Sequence, residues 1–340
     1  MRKPIVLVTG ANGEIGHGLI PQLAVEAGAR PVVTLDINPL DRTIGRFAYR
    51  EFTGSILDQA ILERILAEYE VDCVFHLAAV LSARSEFTPL TAHRVNVEGT
   101  LNLLEFAQRE GESHGRPVAF IYPSSIAAYG LPDPGTRATA GRIREDDWNA
   151  PITMYGCNKL YCEQLGRYYA QHYKQLGAQG PSGWVDFRSV RFPGLISAVT
   201  TPSGGTSDYA SEMTHAAARG QGYACFVRPD TRIPFMAMPD AVDALIRLSR
   251  APRAALSRTA YNVRSFNPSA DQIRGTVLAA FPDVEISYRL DPKRQTIVDS
   301  WPEDVDDAAA RRDWEFDPRY DFEKAFSQYL IPTVRKRYAA

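Results

Sequence analysis

The sequence predicts an α/β fold: a doubly wound parallel sheet with a smaller, mixed α/β C-terminal lobe. Three observations carry this expectation. The first half alternates short apolar runs with helix-period segments, the pattern of a parallel sheet covered by helices on both faces. The chain opens with an apolar run that breaks into three glycines at intervals of three. A second apolar run then ends in an acid.

Taken in order, Ile5-Val6-Leu7-Val8-Thr9 reads as a strand and Gly10-Ala11-Asn12-Gly13-Glu14-Ile15-Gly16 as a turn opening a helix. Ile15, Leu19, Ile20, Leu23 and Ala27 form the apolar stripe of that helix. The free N–H groups and dipole of such a helix start attract phosphate. Glycine lets the backbone turn tightly and approach a pyrophosphate. A glycine triplet alone also serves plain turns and helix caps. Pro31 to Asp36 is the second strand, and Asp36 stands 20 residues after Gly16. A carboxylate there accepts hydrogen bonds from the adenosine ribose. Its charge repels a 2′-phosphate, and Ile37-Asn38-Pro39 bring no cation. Glycines and acid together point to a Rossmann-type fold holding NAD in preference to NADP. Gly10, Asn12, Gly13, Glu14, Ile15, Gly16 and Asp36 are its candidate contacts.

Tyr49–Thr53, Asp72–Ala78 and Pro117–Tyr122 follow as strands, with helices over Asp58–Tyr69 and most of Pro89–Gln108. Ligands of such sheets sit at the carboxyl ends of the strands. Those ends are Gly54-Ser55-Ile56, Leu77 to Ser82, and Pro123-Ser124-Ser125. Leu131 to Asn149 is polar and reads as a surface loop, Tyr155 to Leu176 as a long helix, and Trp184–Arg191 as a strand. After Pro193-Gly194 the alternation fades. A loop, Pro202-Ser203-Gly204-Gly205-Thr206-Ser207, precedes a helix over Asp208–Arg219, and two further helical patterns lie near Pro268–Phe281 and Tyr320–Arg337. Residues 1–195 thus form the dinucleotide-binding domain, with some later segments returning to it. Residues 196–340 form mainly a substrate lobe over the strand ends.

Composition narrows the class. A net charge of −2 offers no electrostatic attraction for nucleic acid or a membrane surface. No apolar run approaches the length of a membrane span, and the run after Met1-Arg2-Lys3 is too short for a signal peptide. Cys73, Cys157, Cys162 and Cys225 form no CxxC pair and read as reduced thiols of a cytoplasmic protein. The six histidines show no zinc-ligand spacing, so no metal is expected.

The sharpest chemical feature is Tyr155-Gly156-Cys157-Asn158-Lys159. Residues four apart share one helix face. A tyrosine titrates near pH 10, too high for a base at neutrality. A neighbouring ammonium and the positive ring of an oxidised nicotinamide favour phenolate. Lowering the phenol by roughly two to three units corresponds to about 3–4 kcal/mol. The phenolate then takes a hydroxyl proton while a hydride leaves the same carbon. Tyr320 and Lys324 share the spacing but follow no strand-end serine, and read as packing. Ser125 supplies a hydroxyl for the oxygen on which charge develops.

Together, Gly10-x-x-Gly13-x-x-Gly16, Asp36, His76-Leu77-Ala78-Ala79, Asn96-Val97-x-Gly99-Thr100, Ser124-Ser125 and Tyr155-x-x-x-Lys159 resemble the extended short-chain dehydrogenase/reductase family. The resemblance implies a catalytic set of Ser125, Tyr155 and Lys159. It implies NAD(P) contacts at Ser55, Ile56, Leu77, Ala78, Ala79, Asn96, Pro123, Ser124 and Phe192 beside the glycine loop, Tyr155 and Lys159. It also implies homodimers built through helices at about 96–110 and 155–176. In the second half, Phe192 to Ser197, Ser203 to Ala210, Pro234 to Ala241 and Arg294 to Pro302 are similar to the branch that oxidises the 3-hydroxyl of L-threonine to 2-amino-3-oxobutanoate. That likeness implies substrate contacts at Leu81, Ser82, Ser125, Tyr155, Gly194, Gly205, Thr206 and Trp301. Three departures stand out: Asn158 where the family has Ser or Thr, Ser55 where it often has Asp, and Ser203 and Ser207 in a loop that usually reads Pro-Gly-Gly-Gly-Thr-Thr. The alternatives are a nucleotide-sugar 4-epimerase or dehydratase, and a silent NAD-sensing protein. Ile126-Ala127 and Pro193 count against the former, and the retained Tyr155 and Lys159 against the latter.

Overall fold

The computed structural model describes residues 2–25, 30–177, 183–202 and 204–339. Ala27 and Ser203, singled out above, lie outside the described residues. Seven strands form the main sheet: β1 (Lys3–Thr9), β2 (Val32–Asp36), β3 (Arg50–Thr53), β4 (Tyr69–His76), β5 (Val118–Ser125), β6 (Val185–Phe192) and β7 (Ala260–Asn262). Their order is β3-β2-β1-β4-β5-β6-β7, and every pairing is parallel. The order reverses between β1 and β4, which opens a crevice at their carboxyl ends.

The continuous apolar run of β1 is what a strand buried on both faces requires. Ile5 and Leu7 face one core, with Val33, Val74 and Phe120. Val6 and Val8 face the other, with Phe75, Ile121 and Val190. Helix α1 (Glu14–Val25) covers the second face through Leu19 and Ile20. Helices α2 (Gly99–His114) and α3 (Met154–Gln171) cover the first face, placing Leu103, Leu104, Cys162 and Tyr169 in its core. In the second half, helix α4 (Tyr209–Ala218) builds the smaller lobe, around Tyr209, Met213, Phe235 and Phe326. Helix α5 (Met238–Arg250) instead returns to the sheet beside α1 and brings Val242 and Leu245 into its core.

Several elements differ from the periodicity reading. The fourth strand spans Tyr69–His76, so Leu77 and Ala78 lie just beyond it. The helix expected over Pro89–Gln108 is three pieces: Pro89–His93, a wide π turn at Arg94–Glu98, and α2. The Leu131–Asn149 loop contains the short helix Pro134–Thr139 and the strand Arg142–Ile143, which pairs with Asp304–Val305. Asp133 caps that helix on the Thr136 N–H and Pro134 opens it, a legible start signal. Among the described residues no helix is long and apolar enough to cross a membrane.

Candidate active site

The crevice between β1 and β4 is built for close backbone approach. Gly10 adopts φ +65°, and a Cβ there would lie 2.4 Å from the Ala78 nitrogen. Only glycine meets both demands. Its carbonyl accepts the Gly13 N–H at 3.0 Å, and α1 starts one residue later. Gly13 is exposed, so the helix start is open to an anion. Asp36 ends β2, half-buried, where its carboxylate accepts the N–H groups of Asn12 (2.9 Å) and Asn38 (3.0 Å). The acid thus braces the glycine loop and retains lone pairs for further donors. Ser55 accepts the Leu57 N–H at 3.1 Å, and Ile56 is buried beside it. Leu77, Ala78 and Ala79 line the opposite wall, half-buried. Asn96 fixes that wall, since its side chain accepts the Val80 N–H (2.7 Å) and donates to the Val80 carbonyl (3.1 Å). A glycine turn, an open helix start and an acid at the strand tip are the fittings of a dinucleotide.

Glu14 opens α1 and faces the smaller lobe, where the Thr200 hydroxyl donates to it at 3.1 Å. The residue as a whole is exposed, but burial of its carboxyl end and the nearby Asp208 raise it to about 7. His76, at the end of β4, bridges Thr9 (2.8 Å) and Thr100 (2.9 Å), and burial pushes it down to about 3. It is a neutral structural bridge.

The candidate reacting groups lie where α3 abuts the ends of β5 and β6. Thr153 caps α3 by accepting the Gly156 N–H at 3.1 Å. A Cβ on Gly156 would stand 2.1 Å from the Ala127 carbonyl oxygen, so this glycine lets the helix close on the turn after Ser125. Ser125 ends β5 and accepts the Ala127 N–H at 3.1 Å, which orients its hydroxyl. Lys159 is buried and donates to the Pro123 carbonyl at 2.6 Å. Its ammonium lies 4.4 Å from the Tyr122 ring centroid and 5.5 Å from that of Tyr155. Burial pushes Lys159 down to about 8. Burial also pushes the Tyr155 phenol up in the protein alone; the lowering expected from the sequence is that of the site with the oxidised nicotinamide ring beside it. Lys159 directs one of its N–H groups to the Pro123 carbonyl.

Ser124 and Phe192, both expected as cofactor contacts, have protein partners in the sheet. Ser124 is buried and donates to Glu163, one turn beyond Lys159 on α3. Phe192 pairs in register with Ser125 and is buried in the sheet core.

On the substrate side, Ser82 opens the helix Ser82–Phe87. That helix is tied to α3 by Glu86, which accepts the Met154 N–H at 2.8 Å. Thr206, from the second half, donates its N–H to the Ser82 hydroxyl at 3.3 Å, with the two hydroxyls 3.5 Å apart. Two positions 124 residues apart in sequence, both expected at the substrate, are therefore in contact. The Gly205 N–H is bonded to Asp208 at 2.6 Å, and Arg294 holds the Gly205 carbonyl at 2.8 Å from its perch on the Phe226 ring. Gly194 begins a short strand, Gly194–Ile196, paired with Phe235–Ala237. Leu81 is exposed. Trp301 is only 4% exposed and packs in the smaller lobe's core, the surroundings of a packing residue. Asp208, Arg294, Glu163 and Arg191 escaped the sequence reading; for Glu163 the signal was its spacing of four from Lys159.

A seven-stranded parallel sheet, a glycine cradle at its switch point and a serine, tyrosine and lysine at the neighbouring strand ends define a dinucleotide-dependent dehydrogenase or epimerase. More narrowly, the chain belongs to the NAD dependent epimerase/dehydratase family, which it matches over residues 6–263. It is 35% identical to an uncharacterized epimerase/dehydratase of Staphylococcus saprophyticus over 97% of this chain and 96% of the relative. It is 33% identical to the mitochondrial L-threonine 3-dehydrogenase of Bos taurus over 94% of this chain and 79% of that protein. Among solved structures, a monomeric L-threonine 3-dehydrogenase from a metagenome superposes with a TM-score of 0.85 at 33% identity, covering 98% of this chain and all of that one.

Proposed function

We propose that the protein oxidises the 3-hydroxyl of L-threonine to 2-amino-3-oxobutanoate. The observation that carries this reading is the meeting of Ser82 with Thr206 beside α3, two positions tied by sequence likeness to an amino-acid substrate. The similarity to L-threonine 3-dehydrogenases supports it.

The glycine loop from Gly10 to Gly16 and Asp36 would hold NAD, which would supply the acceptor for the hydride of carbon 3 and a positive ring charge in the site. Ser125 donates its hydroxyl proton as a hydrogen bond to the reacting oxygen, being already held from behind by the Ala127 N–H. Tyr155 removes the hydroxyl proton. It does so as the phenolate and becomes the neutral phenol; Lys159 favours that phenolate beforehand with its ammonium, which the Pro123 carbonyl keeps near the ring. Ser82 and Thr206 hold the polar end of the amino acid. Asp36 sets NAD above NADP by charge repulsion. The site residues named from sequence, the division near residue 195 and a cytoplasmic location belong to the same reading. Two copies pair through α2 and α3, whose outward sides carry exposed Leu101, Tyr161 and Tyr168; the similar metagenome enzyme is described as monomeric, so sedimentation decides this point.

The test is NADH formation with L-threonine against a nucleotide sugar. Threonine-dependent NADH supports the reading. Inertness toward threonine with turnover of the nucleotide sugar refutes it.

A further inference from the structure

The catalytic helix carries a third functional side chain one turn beyond its lysine. Glu163 stands four residues after Lys159 and therefore on the same face of α3. Its side chain is buried, 3% exposed, and both oxygens are engaged. One accepts the Ser124 hydroxyl and the Arg191 Nε at 2.9 Å; the other accepts Arg191 Nη2 at 2.6 Å. Arg191 is equally buried, lies 4.6 Å from the Tyr129 ring centroid, and donates to the Glu145 carbonyl at 2.9 Å. In the sheet Ser124 pairs with Arg191, and Ser125 with Phe192.

This geometry grips the end of β5 at successive residues. Lys159 holds Pro123 by its carbonyl, Glu163 holds Ser124 by its hydroxyl, and the next residue is Ser125. Glu163 also clamps β6 through Arg191, so one carboxylate joins the helix to both strand ends. A buried charge is expensive, and an ion pair that merely filled a core would be replaceable by apolar residues.

The charges around Lys159 point the same way. The titratable groups facing it are Tyr155, Cys162 and Glu163 on its own helix, Tyr122 on β5 and His76 on β4. Burial pushes Tyr122 and Cys162 up and His76 down, so these three stay neutral near pH 7, while Tyr155 is the group that gives up its proton to act as the base. Glu163, paired with Arg191 at 2.6 Å, is the acidic side chain of the group.

We propose that Glu163 is a positioning residue of this active site: it sets Ser125 against the Tyr155–Lys159 face by gripping Ser124, from one turn beyond Lys159 on the same helix face. This rests on the dehydrogenase reading above and extends it to a residue outside the serine, tyrosine and lysine.

The experiment compares the full-length wild type with Ser124→Ala, Glu163→Gln and the paired Glu163→Gln/Arg191→Met, which removes both buried charges together. Glu163→Gln is expected to lower kcat about tenfold or more. NAD affinity by fluorescence titration should stay within about twofold, since no cradle residue is touched. Loss of the anion lets Lys159 shed its proton more readily, so the alkaline fall of kcat moves to lower pH. A merely structural role would leave that limb in place. The paired variant should regain the wild-type melting temperature but not its kcat. Ser124→Ala should lower kcat about threefold or more. The role is overturned by Glu163→Gln with wild-type kcat and an unmoved limb, or by full recovery of kcat in the paired variant. If Glu163→Gln does not fold, Ser124→Ala decides, and wild-type kcat there overturns the role. Wild-type turnover of threonine keeps the two claims apart. Its absence refutes the threonine reading and moves the same comparison to the nucleotide sugar, whereas its presence with unaffected variants refutes only the role of Glu163.

Discussion

The chain contains two tyrosine–lysine pairs at a spacing of four, and the structure treats them in opposite ways. Tyr155 and Lys159 both lie on α3, against the ends of β5, with the lysine buried. Tyr320 precedes its helix, which begins at Phe322 under an Asp321 cap. Its backbone N–H is bonded to Asp240 at 3.0 Å, and its ring packs 6.0 Å from that of Tyr329. Lys324 has a half-exposed side chain paired with Asp321 at 3.1 Å. The spacing is the same, yet only the first pair shares a helix face, a strand end and a low-dielectric setting. Spacing gains chemical meaning from the element that carries it and the strand end it meets.

Substitutions sharpen this contrast. The largest effect is expected for Tyr155→Phe, which should lower kcat by about 10³-fold with NAD binding intact. Retained turnover, measured beside a fluorescence titration of NAD, would remove Tyr155 from its role. Lys159→Met should follow at about 10²-fold, the size of a phenol shift of two units. The pH profile offers a check on the same residue. Lys159 titrates near 8 in the folded protein, below its ordinary value, so its charge is present at neutrality and lost as pH rises through about 8. The rate should decline over that window in the wild type, and the decline should vanish in Lys159→Met. Asp36→Asn should weaken NAD about tenfold and narrow its advantage over NADP, checked by paired titrations of the two cofactors. The smallest effect belongs to Tyr320→Phe: a change in kcat below about twofold, since the ring and its contact with Tyr329 are kept.

The contrast also shows which parts of the molecule sequence can reveal. The alternation of buried strands and amphipathic helices is local, so β1 to β6 and their helices were legible from periodicity. The glycine loop was legible because Gly10 must take a positive φ against Ala78, a demand few residues meet. The π turn at Arg94–Glu98 left no periodic trace, because it shifts the helix by a single residue. The side-chain partners were less accessible still. Ser82 and Thr206 were expected at the same substrate, but nothing local says that they touch. Ser124 resembled a cofactor contact until Glu163 appeared behind it, a partner 39 residues away. Trp301 read as a substrate residue from its motif, whereas the fold buries it among core side chains. Burial, which raises the Tyr155 phenol in the protein alone, is a property of the folded chain that the sequence does not display.

The most direct measurement follows the hydrogen itself. L-threonine carrying deuterium on carbon 3 is incubated with NAD and the wild-type protein, and the reduced cofactor is examined by mass spectrometry. The account predicts deuterated NADH from the wild type and its formation about 10³-fold more slowly from Tyr155→Phe. Unlabelled NADH, or no threonine-dependent NADH from the wild type, contradicts it.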